Sequence, residues 1–206
     1  QMDRFANPAD EDGRSGEGLS YFVNHPRARK AKLLVEHVLC LRLYTTAAFK
    51  SLNDPLRGRG AYADKPHPFP VTIMYLTDGI KRLRAVSADE ADGAIQYDLW
   101  RGMRNVELPQ AFRERGGTEL APMSTSFDIK VALAYSDRAE MRLIFKIVTY
   151  GFIDRGADLT FLSAFPHEAE VLYPPLTYLL PTGREDHLAV ANGVDYTIIE
   201  VEPRFA

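Results

Sequence analysis

The apolar pattern of this chain changes once, from helical spacing in the first ninety residues to short strand-like runs afterwards. Two consecutive helices are predicted, separated near residues 43–45, and a further helix is predicted over residues 71–86. Short strands are predicted at residues 95–100, 119–124, 143–149, 170–173, 176–180 and 196–201, interrupted by a helix at 128–135. Helices first and strands later indicate an α+β domain rather than alternating βαβ units.

The length and composition of the chain fit one globular domain. With 206 residues and 46% hydrophobic content, the chain is long enough to bury a sizeable core. Residues 1–24 are polar, with Tyr21 and Phe22 as the first apolar anchors, so we expect an N-terminal tail that is loose unless it docks. Residues 25–206 are predicted to form a single domain, helical over about 25–90 and β-rich over about 94–206.

The charge and the apolar runs argue against several classes of partner. The chain has 25 basic and 28 acidic residues, a net charge of −3, so it lacks the basic excess that attracts nucleic acid or anionic membranes. The basic cluster within residues 27–32 is predicted to be a solvated helix face. No apolar run is long enough to span a bilayer. Because the chain begins Gln1-Met2, we expect it to be trimmed, which leaves room for a removed targeting segment.

The cysteine and histidine pattern gives little support for a disulfide or a metal site. Cys40 is the single cysteine and lies in an apolar stretch, so it is predicted to be a buried packing residue. Since it cannot form an internal disulfide, an intracellular, reducing compartment is favoured. His167 is interpreted as a loop histidine because no HExxH or paired His and Cys spacing accompanies it. We therefore expect no metal.

Two glutamates, Glu168 and Glu170, stand one residue apart at the head of the apolar run 171–173. In a strand, residues two apart point to the same face, so both carboxylates are predicted to project together from one edge of a sheet. Like charges held side by side repel unless a cation, a substrate or water compensates. The pair therefore suggests acid/base or cation-stabilising work, although solvated strand faces carry the same pattern.

Two further stretches carry chemical side chains in front of the glutamates. Arg101 and Gly102 end an apolar strand, where a guanidinium can meet an anion and bare backbone can approach a ligand. A surface arginine before a turn glycine is the commoner meaning of such a pair alone. Ser124, Thr125 and Ser126 are three consecutive hydroxyls between a strand and a helix. Helix capping by Ser126 or Asp128 is the default interpretation and accounts for one hydroxyl, but not for three.

The order arginine, Ser-Thr-Ser and Glu-x-Glu resembles the R-S-E class of mono-ADP-ribosyltransferases, which includes arginine-specific enzymes. The helical stretch 43–57 and the sequence Glu170-Val171-Leu172 before two prolines are similar to the eukaryotic ectoenzyme branch of that family. The resemblance covers about residue 41 to the end. It implies the ADP-ribosyltransferase fold: two packed, roughly perpendicular antiparallel sheets with an NAD cleft between them and helices at the N-terminal side.

The resemblance also implies which residues bind NAD as a co-substrate. Arg101 is expected to bind the NAD phosphates, and Gly102 is expected to hydrogen-bond the nicotinamide carboxamide through its backbone. Ser124 would bond the nicotinamide ribose, with Thr125 and Ser126 stabilising the cleft. Asn105 is a candidate for the adenosine side, with a polar turn residue as the default interpretation.

The resemblance gives the two glutamates separate roles. Glu170 would accept a hydrogen bond from the ribose 2′-hydroxyl and favour the cationic sugar formed as nicotinamide leaves. Glu168 would orient an arginine acceptor and take its proton. The stretch 159–167 would be the acceptor-contacting loop, with Phe161 and Phe165 as candidate contacts and core packing as the equal alternative for each.

The sequence thus predicts an NAD-dependent enzyme that transfers ADP-ribose to arginine side chains of a protein target and releases nicotinamide. One alternative keeps the fold and uses water as the acceptor, which makes the protein an NAD glycohydrolase. The other alternative is a non-catalytic NAD-binding module. The target protein is not encoded in any motif, and no nucleic-acid partner is expected.

Overall fold

The structure, a computed structural model, describes residues 17–90, 97–136, 142–151, 154–190 and 194–205. In the N-terminal part of these ranges the chain forms the helices α1 (Leu19–Val23), α2 (Pro26–Lys30), α3 (Val35–Tyr44), α4 (Phe49–Leu56) and α5 (Pro70–Glu90). A short 3-10 turn, Gly60–Tyr62, lies between α4 and α5. Pro26 and Pro70 are the first residues of their helices, where the missing proline N–H leaves no helical hydrogen bond unmade.

The C-terminal part of the described chain is built on strands. They are β1 (Tyr97–Arg104), β2 (Gly117–Glu119), β3 (Met123–Ser126), β4 (Arg142–Thr149), β5 (Ala157–Asp158), β6 (Glu170–Tyr173), β7 (Thr177–Val190) and β8 (Val194–Arg204). The helix α6 (Gln110–Arg115) precedes β2, and α7 (Ile129–Ser136) follows β3. The strands pair in the order β2-β7-β8-β4-β1-β3-β6-β5, antiparallel throughout except for the parallel pair β4 and β8.

The sheet bends so that its two halves share one core. The first half runs from β2 to β1 in the strand order and the second half is β3-β6-β5, joined at one register pair between Trp100 and Ser126. One buried cluster contains side chains from both halves: Leu99, Met123, Phe145, Val171, Tyr173 and Val201. Residues of strands distant in the sheet order meet there only if the halves face each other. This arrangement fits the two-layer fold that the resemblance implies, here with continuous pairing across the layers.

Helices cover the outer faces of both halves. On the first half, Ala132 of α7 packs in a cluster with Ile144 and Ile198. On the second half, Leu172 of β6 lies in a cluster with residues of α3 and α5. Leu143 and Phe145 point inward while Ile144 points outward, the period of two that a strand buried on both faces requires. The helical part therefore rests on the β3-β6 layer.

Most predicted elements are confirmed. The helices at Val35–Tyr44 and Phe49–Leu56 break near residues 43–45 as predicted, and α5 extends the helix predicted at 71–86. The predicted strand 119–124 is wrong as one element, because the chain forms β2, leaves the ladder and starts β3. The predicted strand 95–100 is observed from residue 97, where β1 begins, and its first two residues lie outside the described residues. The α+β class is confirmed.

The described end of the N-terminal segment packs against the domain. Phe22 of α1 is buried in the helical core, so this segment docks from residue 19 onward, whereas residues 1–16 lie outside the described residues. Cys40 is buried, as predicted. None of the described helices has both the length and the apolar character needed to cross a membrane.

Candidate active site

The ladder between β3 and β6 brings the hydroxyl run and the second glutamate to one face. Ser126 pairs directly with Glu170, and Ser124 pairs with Leu172. Directly paired residues of antiparallel strands share a face, and alternate residues on one strand do too. Ser124, Ser126 and Glu170 therefore project from the same side of the ladder. Glu170 is only 6% exposed, so its carboxylate is held in a largely desolvated position.

Arg101 reaches this ladder from the neighbouring strand β1. Its Nη1 donates a hydrogen bond of 2.7 Å to the carbonyl oxygen of Ser124. Burial lowers the pKa of the Arg101 guanidinium from its ordinary value, and the negative charge of Glu119 opposes that shift. A guanidinium carries five N–H donors, so this anchoring leaves donors that can bind an anion. The Arg101 guanidinium, held by the Ser124 carbonyl oxygen, is thus a fixed positive charge beside the face that carries Glu170.

A second arginine shares a carboxylate with Arg101. Arg57, which follows α4, donates from Nε and Nη2 to the two oxygens of Glu119 at 2.9 and 3.1 Å. The Arg101 Nη2 lies 3.9 Å from the same carboxylate. The Ala121 backbone N–H donates to Glu119 as well, at 3.1 Å. The result is an Arg57, Glu119 and Arg101 cluster that holds two guanidinium groups near one point.

The helices α3 and α4 are tied to the chain just before the hydroxyl run. The buried Tyr44 hydroxyl donates to the Pro122 carbonyl oxygen at 2.9 Å, and Asn53 Nδ2 donates to that hydroxyl at 3.0 Å. Burial and then the negative charge of Glu170 raise the pKa of Tyr44 well above its ordinary value. Tyr44 therefore remains a neutral hydroxyl next to the Glu170 carboxylate. These contacts fix the helical layer relative to β3.

The predicted common strand face for the two glutamates is wrong. Glu168 ends a 3-10 turn, Pro166–Glu168, and only Glu170 belongs to β6. Pro166 begins that turn because its fixed φ suits a helical start. Ala169 between the glutamates has φ 43°, in the left-handed region, so the strand alternation does not extend back to Glu168. The orientation of Glu168 is set by other contacts instead.

Those contacts come from Tyr135 of α7 and from Ser126, the last residue of β3. The Tyr135 hydroxyl lies 3.2 and 3.4 Å from the two carboxylate oxygens of Glu168. The Ser126 hydroxyl donates to the Glu168 carbonyl oxygen at 2.7 Å. Asp128 accepts from the Lys130 backbone N–H, so the predicted capping interpretation is confirmed for Asp128. Glu168 is thus held through both its backbone and its side chain.

The loop before the glutamates is anchored to the end of α3. The Thr45 hydroxyl oxygen accepts a hydrogen bond from the Ala164 backbone N–H at 3.0 Å, and Arg42 donates to the Leu162 carbonyl oxygen at 2.7 Å. Phe161 is buried and stacks on His25 with ring centroids 4.6 Å apart, which is a packing role. Phe165 is half-buried and stays a candidate for contact with an acceptor.

The other predicted site residues have distinct positions. Thr125 points away from Glu170, and its hydroxyl donates to the Val171 carbonyl oxygen at 2.8 Å, which braces the β3-β6 pair. Gly102 lies under α7, where an added Cβ would sit 2.0 Å from the Ala132 carbonyl oxygen. Asn105 is exposed just after β1 with φ 52°. His167 is exposed in the 3-10 turn, as expected for a loop histidine.

Sequence reasoning gave no site role to Glu119, Arg57 or Tyr135. Neither Glu119 nor Arg57 belongs to a local sequence motif. Their role comes from the contact between them, and they are 62 residues apart in the chain. In the described part of the chain, no group of three or more His, Cys, Asp or Glu side chains is arranged to hold a metal ion. The assembled groups are suited to an anion beside Arg101 and to positive charge beside Glu170.

Comparisons with known proteins identify the family to which this chain belongs. The model of the family described as NAD:arginine ADP-ribosyltransferase (ART) matches residues 24–190. A search of curated proteins finds no match.

Solved structures with the same fold include bacterial and eukaryotic proteins. The ADP-ribosyltransferase HopU1 of Pseudomonas syringae pv. Tomato has a TM-score of 0.61 and 20% identity, over 88% of this chain and 82% of that one. The ADP-ribosyltransferase Vis, a toxin from Vibrio splendidus, was solved with agmatine and has a TM-score of 0.57 and 18% identity, over 97% and 91% of the two chains.

A mutant of the eukaryotic mono-ADP-ribosyltransferase ART2.2, solved with NADH, has a TM-score of 0.57 and 16% identity, over 91% of this chain and 75% of that one. At these identities the solved structures show the shared fold alone. The family match carries more, because it spans residues 24–190, which is most of the chain. The chain therefore belongs to the NAD:arginine ADP-ribosyltransferase family, whose chemistry is the NAD-dependent transfer of ADP-ribose.

Proposed function

We propose that this protein transfers ADP-ribose from NAD to arginine side chains of a protein target and releases nicotinamide. The observation that carries the proposal is the shared face of Ser124, Ser126 and the buried Glu170, with the Arg101 guanidinium anchored on the Ser124 carbonyl oxygen. The face offers a carboxylate for a developing positive charge, and Arg101 offers a cation for a diphosphate about one strand away. NAD contains both features.

Arg101 binds the NAD diphosphate in this proposal. Its guanidinium is fixed by Ser124 and balanced by Glu119, so it is oriented before a substrate arrives. Arg57 shares Glu119 and adds a second positive charge to the same region. Gly102 hydrogen-bonds the nicotinamide carboxamide through its backbone, and Asn105 lies toward the adenosine. A planar guanidinium suits phosphate oxygens because two N–H groups can bind two oxygens at once.

Glu170 acts on the nicotinamide ribose. As the bond between the ribose C1′ and the nicotinamide nitrogen breaks, its electron pair leaves with nicotinamide and positive charge develops on the sugar. A carboxylate already positioned in a largely desolvated site stabilises that charge strongly. Ser124 bonds the same ribose, while Thr125 and Ser126 stabilise the cleft through their contacts with Val171 and Glu168.

Glu168 acts on the acceptor. A guanidinium nitrogen of the target arginine forms the new bond to C1′ and must lose a proton, which Glu168 accepts. The guanidinium itself is a poor nucleophile while protonated, so a carboxylate that orients it and takes the proton is required. The family description names arginine, and the agmatine found with Vis carries the same guanidinium group, which supports this choice of acceptor.

The role of Glu170 is tested by the Glu170→Gln variant. We expect the rate of nicotinamide release to fall by about 100-fold to 1000-fold, because one electrostatic contact to the transition state is worth ~3 to 4 kcal/mol. Glu36→Gln is the matched control, since Glu36 is exposed on α3. Near-normal nicotinamide release by Glu170→Gln would refute this assignment.

The role of Glu168 and the identity of the acceptor are tested together. Glu168→Gln should remove transfer to arginine while NAD hydrolysis continues, and equal loss of both activities would contradict the division of labour. Labelled NAD and a cell lysate, followed by mass spectrometry of the modified side chains, identify the acceptor. Hydrolysis without transfer in the unchanged protein would favour an NAD glycohydrolase. NAD binding with no nicotinamide release would favour a non-catalytic module.

A further inference from the structure

The last turn of α7 approaches the side chain of Glu168. The Tyr135 hydroxyl contacts both carboxylate oxygens, at 3.2 and 3.4 Å, and Tyr135 is itself half-buried. Glu168 lies in a turn and not in a strand, so the sheet does not set the direction of its side chain. A carboxylate on a short turn has several accessible rotamers, and a hydroxyl that bridges both oxygens selects among them.

The chain at the start of the same helix contacts the backbone of Glu168. Ser126 donates from its hydroxyl to the Glu168 carbonyl oxygen at 2.7 Å, and the Asp128 backbone N–H donates to the same hydroxyl oxygen at 2.9 Å. The backbone of Glu168 is therefore held at the N-terminal end of α7 and its carboxylate at the C-terminal end. The contact to the carboxylate depends on where α7 lies, whereas Ser126 belongs to β3 and is held by the sheet.

The position of α7 is fixed by its packing on β1. Gly102 lets the helix approach so closely that a Cβ there would sit 2.0 Å from the Ala132 carbonyl oxygen and 2.4 Å from the Ser136 hydroxyl oxygen. Arg104 of β1 donates a hydrogen bond from Nε to the Tyr135 carbonyl oxygen. The Tyr135 hydroxyl is thus presented from a rigid helix to a side chain on a turn.

We infer that Tyr135 is a positioning residue that orients the Glu168 carboxylate for the acceptor step. This inference rests on the proposed function, in which Glu168 takes the proton of the arginine acceptor. Because Tyr135 contacts Glu168 and the cleavage step depends on Glu170, its loss affects transfer more than NAD cleavage.

The test is the Tyr135→Phe variant, assayed with NAD and agmatine as a small guanidino acceptor. Formation of ADP-ribosyl-agmatine should fall about tenfold, the rate effect typical of losing one hydrogen bond to a charged group. Nicotinamide release without an acceptor should stay within about twofold. Tyr150→Phe is the control, because Tyr150 is 51% exposed and has no role in the proposed site. Thermal unfolding of both variants measures any effect on the fold.

A double-mutant cycle separates positioning from a general structural role. In a Glu168→Ala background the hydroxyl has no carboxylate to orient, so adding Tyr135→Phe should not lower the residual transfer further. Additive losses in the cycle, or equal loss of transfer and nicotinamide release in the single variant, would overturn the inference. If the unchanged protein transfers ADP-ribose to agmatine and Tyr135→Phe does so equally well, only this inference fails. If the unchanged protein does not transfer at all, the proposed function fails with it.

Discussion

Glu119 contacts two arginines, Arg57 and Arg101, that lie far apart in the sequence. Its carboxylate receives two hydrogen bonds from Arg57 and lies 3.9 Å from the Arg101 guanidinium. Burial raises the pKa of Glu119, but the hydrogen bonds from Arg57 and the charge of Arg101 outweigh burial, so the net pKa is lowered. The cluster holds Arg101 in place before any anion binds.

This arrangement makes a pH-dependent contribution to stability. The pKa of Glu119 is lower in the folded protein than its ordinary value of 4.5. Its contribution is therefore fully present above about pH 4.5 and is lost as the pH falls through the folded-state pKa. Glu119→Gln should lower the free energy of unfolding by about 2 kcal/mol at pH 7, because hydrogen bonds to a charged group are lost. The difference from the unchanged protein should shrink below about pH 4.5.

Urea denaturation at pH 7 and at several acidic pH values measures both effects. Glu185→Gln is the control, since Glu185 pairs with Arg113 at a solvent-exposed position and such pairs contribute about 0 to 1 kcal/mol. A stability difference for Glu119→Gln that stayed constant down to pH 3 would contradict this account. It would mean that the ionised carboxylate is not the stabilising species.

The helix α7 is the element on which the candidate site most depends. It covers the outer face of β1, begins at Ile129 shortly after the hydroxyl run and contacts Glu168 through Tyr135. Its close approach to β1 requires that residue 102 have no side chain. Gly102 is therefore constrained by helix packing in addition to any role of its backbone toward a ligand.

Gly102→Ala should be strongly destabilising. The new Cβ would overlap the Ala132 carbonyl oxygen at 2.0 Å, which is backbone and cannot rotate away. We expect the free energy of unfolding to fall by about 3 kcal/mol, at the upper end of overpacking effects. Gly151→Ala is the control, because an added Cβ there meets no atom within 4 Å. Chemical denaturation of the two variants provides the comparison, and equal stability would show that α7 moves away at little cost.

At the scale of the whole molecule, the bent sheet makes one cooperative unit from two layers. Leu99 of β1 is fully buried in the cluster that also contains Met123 and Tyr173 of the other half. Between the described strands of the two halves, backbone pairing is the one register pair of Trp100 with Ser126, and the Arg101 side chain adds a hydrogen bond to the Ser124 carbonyl oxygen. Side-chain packing in the shared core is therefore the main connection between the two layers.

Leu99→Ala tests this connection. The substitution leaves a cavity in the shared core and should lower the free energy of unfolding by about 3 kcal/mol. Leu39→Ala is the control, because Leu39 is 54% exposed and should change stability by about 0.5 kcal/mol or less. Unfolding followed by circular dichroism and by fluorescence should give coincident transitions for both variants. Two separate transitions would contradict a shared core.

Apolar periodicity predicted the elements whose buried residues are close together in the sequence. The helices α3 to α5, the strands β4 and β6 and the buried position of Cys40 follow from apolar periodicity, since each element buries one face or both. The turn at Glu168 did not follow from periodicity, because Pro166 and the left-handed Ala169 interrupt the strand pattern there. The split of 119–124 into β2 and β3 was not predicted either.

The order of Arg101, the hydroxyl run and the two glutamates was readable from the sequence by itself, because each motif consists of neighbouring residues. Only the tertiary structure decided that Ser126 pairs with Glu170, that Glu119 joins Arg57 to Arg101, and that α7 reaches Glu168. Strand register and side-chain contacts between distant segments depend on how the whole core packs, which no local window of sequence contains. The sequence determined which groups are present; the packing of two layers and one helix decided which of them meet.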